Sequence, residues 1–181
     1  MRYIPAPWRE QYVRSGLAMK GCIFCAALRG RDDRARRVLH RGRHAFILLN
    51  TYPYTPGHLM IAPRRHTADL AGAGPAVMAE MTGLVQRAVR ILRRRYRPHG
   101  FNIGLNLGHA AGAGVASHFH IHVVCRYTGD ANFMPLFGRT KVFIEDLNMT
   151  YDRLAPDFAR ARRRDARRGP ARGGRPTRKP R

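Results

Sequence analysis

Apolar and polar positions along this chain fall into two periods, and the switches between them outline its elements. Val38-Leu39-His40-Arg41 and His44-Ala45-Phe46-Ile47-Leu48-Leu49-Asn50 flank Gly42-Arg43. Two β-rich runs around a short Gly-containing turn predict a hairpin. Tyr52-Pro53-Tyr54-Thr55-Pro56-Gly57 carries turn chemistry, and His58-Leu59-Met60-Ile61-Ala62 reads as the next strand, stopped by Pro63. Val77, Met81, Leu84, Val85, Ala88, Ile91 and Leu92 then recur at steps of three and four, which predicts an amphipathic helix. Pro98 and Gly100 end it. Phe101, Ile103 and Leu105 alternate with Asn102, Gly104 and Asn106 in another strand. A final helix is predicted from Glu145 to Ala155, with Leu147, Tyr151 and Leu154 on one side. Residues 5–18, with Trp8, Tyr12, Val13 and Leu17, suit a short arm, and the charged stretch 31–37 a loop.

One strand stands apart from the rest. In Ser117-His118-Phe119-His120-Ile121-His122-Val123-Val124 three histidines alternate with apolar residues. A strand has a side-chain period of two, so the three imidazoles share one face and Phe119, Ile121 and Val123 the other. The chain holds nine histidines in 181 residues. Three at that spacing arise about 0.02 times in a random shuffle, so the pattern is a signal rather than an accident of composition. Same-face Cα atoms lie roughly 6.6–6.8 Å apart in a strand, so several imidazoles can line one groove.

Charge changes the picture of the chain's ends. The net charge is +23, with 44% apolar residues, enough for a packed core. Residues 159–181 hold ten Arg and one Lys against Asp165, leaving +13 on the preceding 158 residues. Body and tail should both attract polyanions. A Gly-, Pro- and Arg-rich tail buries too little apolar surface to fold alone, and it suits nucleic acid or another acidic partner. No run of 18 apolar residues and no secretory leader is visible, so the expected setting is the cytoplasm and no membrane is expected as a partner.

Three cysteines in a chain of this size argue against a disulfide framework. Cys22-Ile23-Phe24-Cys25 is open to metal or redox use. A metal needs two further ligands, for which His66 and His118 are candidates. Gly108-His109-Ala110-Ala111-Gly112-Ala113-Gly114 lacks the Lys-Ser or Lys-Thr of a P-loop. It suits either backbone contact with phosphates or a plain connector. Asn50 fits a ribose contact or a strand-end cap. His58 fits phosphate binding, orientation of another histidine, or simple packing.

His118-Phe119-His120-Ile121-His122-Val123-Val124 resembles the signature of the histidine triad (HIT) family. Cys22-Ile23-Phe24-Cys25, Leu49-Asn50, Gly57-His58-Leu59-Met60-Ile61-Ala62-Pro63-Arg64-Arg65-His66 and Asn102-Ile103-Gly104-Leu105-Asn106-Leu107-Gly108 follow in family order. Gly129-Asp130-Ala131-Asn132-Phe133-Met134-Pro135 is similar to the branch containing diadenosine tetraphosphate phosphorylases. The resemblance implies an α+β, HIT-like fold: a mainly antiparallel sheet with one long helix and a C-terminal helix. It assigns 1–156 to the domain, with an arm over 1–20, metal- and nucleotide-binding strands over 21–66 and the catalytic strand region over 101–126. Residues 157–181 are left as a disordered basic tail.

It further implies a nucleotide hydrolase or transferase that cleaves at the α-phosphate of a dinucleoside polyphosphate through a nucleotidyl-histidine. His120 would be the nucleophile, with His118 and His122 beside it. Asn50, His58, Asn106, Gly112, Gly114 and His122 would meet the nucleotide and its phosphates. Cys22, Cys25, His66 and His118 would hold structural zinc, and the assembly would be a homodimer. The second ring nitrogen of His120 needs an acceptor, for which the His58 region is the sequence's suggestion. Arg64, Arg65 and Arg126 are candidates to neutralise the leaving polyphosphate, and 129–142 to cover a second nucleotide or a dimer interface. Phosphorylases of the branch carry Ser where this chain has Gly114. Phosphoramidate hydrolysis, and nucleotide or nucleic-acid binding with a basic tail, are the alternative readings.

Overall fold

The computed structural model describes residues 21–130 and 145–168. The arm expected over 5–18, most of the segment from 129 to 142 and the tail beyond Arg168 lie outside the described residues. Among the described residues, five antiparallel strands form one sheet: β1 (Val38–Arg41), β2 (Ala45–Leu49), β3 (Leu59–Pro63), β4 (Gly100–Leu105) and β5 (Ile121–Arg126), in the order β1-β2-β3-β5-β4. Three helices accompany it there: α1 (Ile23–Arg29), α2 (Pro75–Tyr96) and α3 (Leu147–Arg168).

Every residue of β2 and β3 is buried, which requires cover on both faces of the sheet. The strand alternation sorts those residues. Ala45, Ile47, Leu49, Leu59 and Ile61 join Met81, Leu84, Ala88, Ile91 and Leu92 of α2 and Leu154 and Phe158 of α3. Phe46, Leu48, Met60 and Ala62 join Phe24 and Ala27 of α1 on the opposite face. Met60 pairs with His122 across β3 and β5, so the histidines belong to the α1 side. Helix α2 has the predicted spacing, begins with Pro75 and ends before Arg97, which takes a left-handed conformation at φ 45°.

Two sequence expectations need correction. Alternation alone predicts a histidine strand over 117–124, whereas the ladder of β5 begins only at Ile121. His118 and His120 precede it, held by the Phe119 N–H bond to the Thr67 carbonyl at 2.9 Å. The alternation survives: Phe119 enters the α2–α3 core while His118 and His120 contact Phe24. Composition predicts a disordered basic tail from 157, yet α3 continues to Arg168. Pro156 makes Ala155 look terminal, because an interior proline costs a backbone bond. Packing outweighs that loss. Phe158 is fully buried, worth about 2–3 kcal/mol of apolar transfer. The buried Asp157 carboxylate meets Arg95, Arg94 (3.0 Å) and Arg160 (2.6 Å).

Candidate active site and metal-ligand cluster

Gly21, at φ +97°, turns the chain into α1. Cys22 is the N-cap and Cys25 lies one turn on, so both thiols face one side of the helix start. Across from them stand His66, just beyond β3, and His118. Cys22 Sγ is 3.3 Å from His118 Nδ1, and Cys25 Sγ is 3.3 Å from His66 Nδ1 and 3.8 Å from His118 Nδ1. The two Nδ1 atoms are 3.3 Å apart. A tetrahedral ion with bonds of about 2.0–2.3 Å sets its ligands roughly 3.3–3.8 Å apart, so the four residues fit such an ion. All four ligand atoms lie within 4.8 Å of one another. The His118 ring is held in the orientation a ligand needs, with its Nε2 2.9 Å from the Pro63 carbonyl. A carbonyl only accepts, so the proton is on Nε2 and the Nδ1 lone pair faces the cysteines.

The same logic fixes the other rings. His120 Nδ1 is 2.9 Å from the His118 carbonyl, which places its proton on Nδ1 and a lone pair on Nε2. This corrects the expectation that the His58 region supplies that acceptor. His58 instead serves His122. The Tyr54 backbone N–H, which only donates, meets His58 Nδ1 at 3.1 Å. The His58 proton is therefore on Nε2, 3.0 Å from His122 Nδ1. His122 accepts there and carries its own proton on Nε2. Gly57, at φ +76°, permits the reversal that delivers His58, with α2 atoms Leu92 Cδ2 and Tyr96 Cε2 at 3.0–3.1 Å from where a Cβ would stand.

Burial decides the charge of the rings. His120 is 4% exposed, and desolvation pushes it below the ordinary imidazole range despite the bond to the His118 carbonyl. His118 is lowered chiefly by burial as well. His120 is thus a neutral imidazole near neutral pH, the form with a nucleophilic lone pair. The Phe24 ring lies 4.6 Å from that of His120 and 5.0 Å from that of His118. Tyr54 lies 4.7 Å from His58 and 6.3 Å from His122. Sequence reasoning missed both aromatic contacts, since Phe24 reads as a spacer between cysteines and Tyr54 as turn chemistry. Their signal is position alone: each sits inside a motif carrying a site residue.

The structure thus brings His58, His120 and His122 together, and sets His118 with the cysteines. Asn50 is buried; its Nδ2 is 3.2 Å from His58 Nδ1 and its Oδ1 accepts the Tyr52 N–H at 2.9 Å. The cap is therefore formed, along with a link to the histidines. The last β4–β5 pair is Leu105 with Ile121, so the next residue, Asn106, starts the loop beside His120. That loop holds a short 3-10 turn, His109–Ala111, with Gly112 at φ +84° and Gly114 exposed. Among the described residues, no hydrogen bond joins Asn106, Gly112 or Gly114 to His120 or to the His58–His122 pair; Gly112 donates instead to the His109 carbonyl at 2.9 Å. Two of the candidate arginines are engaged elsewhere. Arg64 donates to the Gly42 carbonyl at 3.0 Å, and Arg126 bonds Asp130 (2.7 Å) and Asn102 (2.6 Å). Cys125 is fully buried in the core and its thiol is pushed up to about 12, chiefly by burial, so it packs rather than reacts.

These residues match a known pattern. A family model described as the HIT domain matches residues 32–129. The chain belongs to the HIT family. Among its relatives is a protein named AP-4-A phosphorylase from Mycobacterium tuberculosis, 44% identical over 129 residues, 71% of this chain. The match spans 66% of that relative's length. A zinc-bound histidine triad family protein from Mycobacterium smegmatis superimposes with a TM-score of 0.63 at 28% identity, covering 80% of this chain and 98% of that one. A histidine triad nucleotide-binding protein from Sulfolobus tokodaii, at 19% identity, shares the fold with a TM-score of 0.61 over 79% and 95% of the two chains. As in that family, the fold is α+β. Among the described residues, no helix is long and apolar enough to cross a membrane.

Proposed function

We propose that this HIT protein is a nucleotidyl hydrolase or transferase that cleaves a dinucleoside polyphosphate of the diadenosine tetraphosphate kind at an α-phosphorus. The observation that carries the reading is the state of His120: buried, neutral, with its proton on Nδ1 bonded to a backbone carbonyl and its lone pair on Nε2. That nitrogen attacks the α-phosphorus. A nitrogen–phosphorus bond forms, and the bond to the bridging oxygen breaks with its electron pair leaving on the departing nucleotide. The developing imidazolium keeps its Nδ1 proton on the His118 carbonyl, which stabilises the positive charge. His122, with its proton on Nε2, donates to a phosphate oxygen. Water or inorganic phosphate then attacks the nucleotidyl-histidine, breaks the nitrogen–phosphorus bond and restores the neutral ring. The 44% identity with the phosphorylase of M. tuberculosis supports this substrate class.

Asn50 would meet the ribose, and His58, Asn106 and the backbone at Gly112 and Gly114 the phosphates. Cys22, Cys25, His66 and His118 would hold zinc, which ties α1 to the segment ahead of β5 and so sets the position of His120. The zinc-bound relative supports that reading. We also infer a homodimer: β4 is an outer strand of the sheet, with Ile103 on it and Leu107 just past its end both exposed.

The deciding experiment is product analysis with diadenosine tetraphosphate, with and without inorganic phosphate. ADP plus ATP formed only with phosphate identifies a phosphorylase, and AMP plus ATP formed in its absence identifies a hydrolase. His120→Ala should lower either rate by at least about 10³-fold while the fold and metal content persist. Unchanged turnover in that variant would remove His120 as nucleophile. Turnover of adenosine phosphoramidate alone would move the substrate class.

A further inference from the structure

A second feature lies away from the histidines, on the other side of the sheet. The β1–β2 hairpin, α2 and α3 enclose an open groove of about 800 Å³. Five arginines line it: Arg41, Arg43, Arg87, Arg90 and Arg162, with Glu80 and Asp165 as the acids. Both acids are already engaged. The two Glu80 oxygens accept the backbone N–H groups of Arg43 (2.8 Å) and His44 (2.7 Å), and Asp165 pairs with Arg87. Arg41 turns its guanidinium toward Asp33 and the carbonyls of Ala27, Leu28 and Gly30. The guanidinium groups of Arg43, Arg90 and Arg162 remain, exposed and in no ion pair with an acid among the described residues. His40, which also lines the groove, is held neutral chiefly by burial and by Arg87 and Arg162, so it adds no charge of its own.

We propose that this groove binds a nucleic acid by its phosphate backbone, at a site distinct from the histidine pocket. Three arguments select that occupant. Apart from the His40 ring, no aromatic side chain lines the groove, so it offers charge rather than a platform for stacking one base. The unengaged cations are also spread over three elements, Arg43 in the β1–β2 turn, Arg90 on α2 and Arg162 on α3, which suits a run of phosphates better than a single one. Finally, guanidinium groups are suited to phosphate oxygens through paired N–H donors. Composition alone places such contacts in a disordered tail; the structure gives the chain a folded surface for them.

The test is binding of the full-length chain to a labelled mixed-sequence DNA duplex of about 24 base pairs, followed by anisotropy between about 50 and 200 mM salt. The triple variant Arg43→Ala/Arg90→Ala/Arg162→Ala should weaken binding and flatten the log K against log salt slope by about three, one per phosphate contact. Its circular dichroism should match the parent, because all three side chains are exposed. Arg163→Ala/Arg164→Ala/Arg167→Ala removes the same charge outside the groove and should cost less. Equal losses in the two triple variants would overturn the proposal, as would an unchanged slope in the first. Displacement of the duplex by diadenosine tetraphosphate would put binding in the histidine pocket, and equal affinity for poly-glutamate would make the surface a generic anion site; either result overturns it. The readout is binding and not turnover, so its failure leaves the catalytic reading untouched.

Discussion

His58 Nε2 lies 3.0 Å from His122 Nδ1, and the Tyr54 backbone N–H determines which of the two carries the proton. The bond runs from His58 to His122 and leaves the donor of His122 on its far nitrogen. His58→Ala removes that constraint and lets His122 adopt either tautomer. The expected cost is about tenfold in kcat, the scale of one hydrogen bond of about 1.4 kcal/mol, together with a loss of stability, because His58 is fully buried. Steady-state kinetics with a dinucleoside polyphosphate would measure it. A variant with parental kcat would make His58 a packing residue.

Removing a member of the proposed zinc site should act on folding before it acts on chemistry. Cys22→Ser takes one of two thiols from a cluster that joins α1, the end of β3 and the segment before β5. If zinc binds only the folded state, at a free concentration of about 100 to 1,000 times its Kd, the site contributes about 3–4 kcal/mol. Loss of zinc by metal analysis, together with a fall in Tm of several degrees, is the expected result. The His120–Phe24 contact depends on the same helix, so activity should fall with the Tm. A stable, metal-free and fully active Cys22→Ser protein would refute the structural role.

Much of this arrangement is legible in the chain because it is periodic. The hairpin of β1 and β2, the spacing of α2 and the alternation of His118, His120 and His122 each follow from which side a residue must face. Three things are hidden, each for a physical reason. The acceptor for His120 is a main-chain carbonyl, which leaves no residue signature. The role of Tyr54 rests on its backbone N–H, equally silent in sequence. The length of α3 is obscured by Pro156 and by arginine density, while its stability derives from Phe158, Leu154 and the Asp157 carboxylate reaching α2.

Acid should destabilise the protein in two stages. His40 is pushed down to about 4, chiefly by burial and then by Arg87 and Arg162, from an ordinary 6.5. Its neutral form is the native one, so this contribution is complete above about pH 6.5. Between 6.5 and about 4 the unfolded chain binds a proton that the folded chain does not, and stability falls, by up to about 3 kcal/mol. Asp157 is held well below the usual carboxylate range by Arg95, with Arg160 and Arg94 adding to the effect against burial. Its contribution is present above about pH 3.8 and is lost as pH falls below that value. Denaturant unfolding across pH should record a first decline that His40→Gln reduces and a second that it leaves. An NMR titration placing His40 near 6.5 would contradict the first stage.

The boundary of the folded unit is open to a direct test, because two truncations remove arginines but only one removes core. A chain ending at 168 keeps the whole of α3. A chain ending at 156 loses Asp157 and Phe158, the first buried beside Arg94 and Arg95 and the second fully buried against the α2 side of the sheet. Removing a buried phenylalanine side chain alone costs about 3–5 kcal/mol, and the stranded arginines lose their carboxylate besides. The longer truncation should therefore unfold at markedly lower denaturant, while the shorter one retains the parental midpoint. Phe158→Ala in the full chain should reproduce most of the loss without removing any charge. Equal midpoints for the two truncations would mean that the last turns of α3 add nothing to the core, and that the unit ends where Pro156 first suggested.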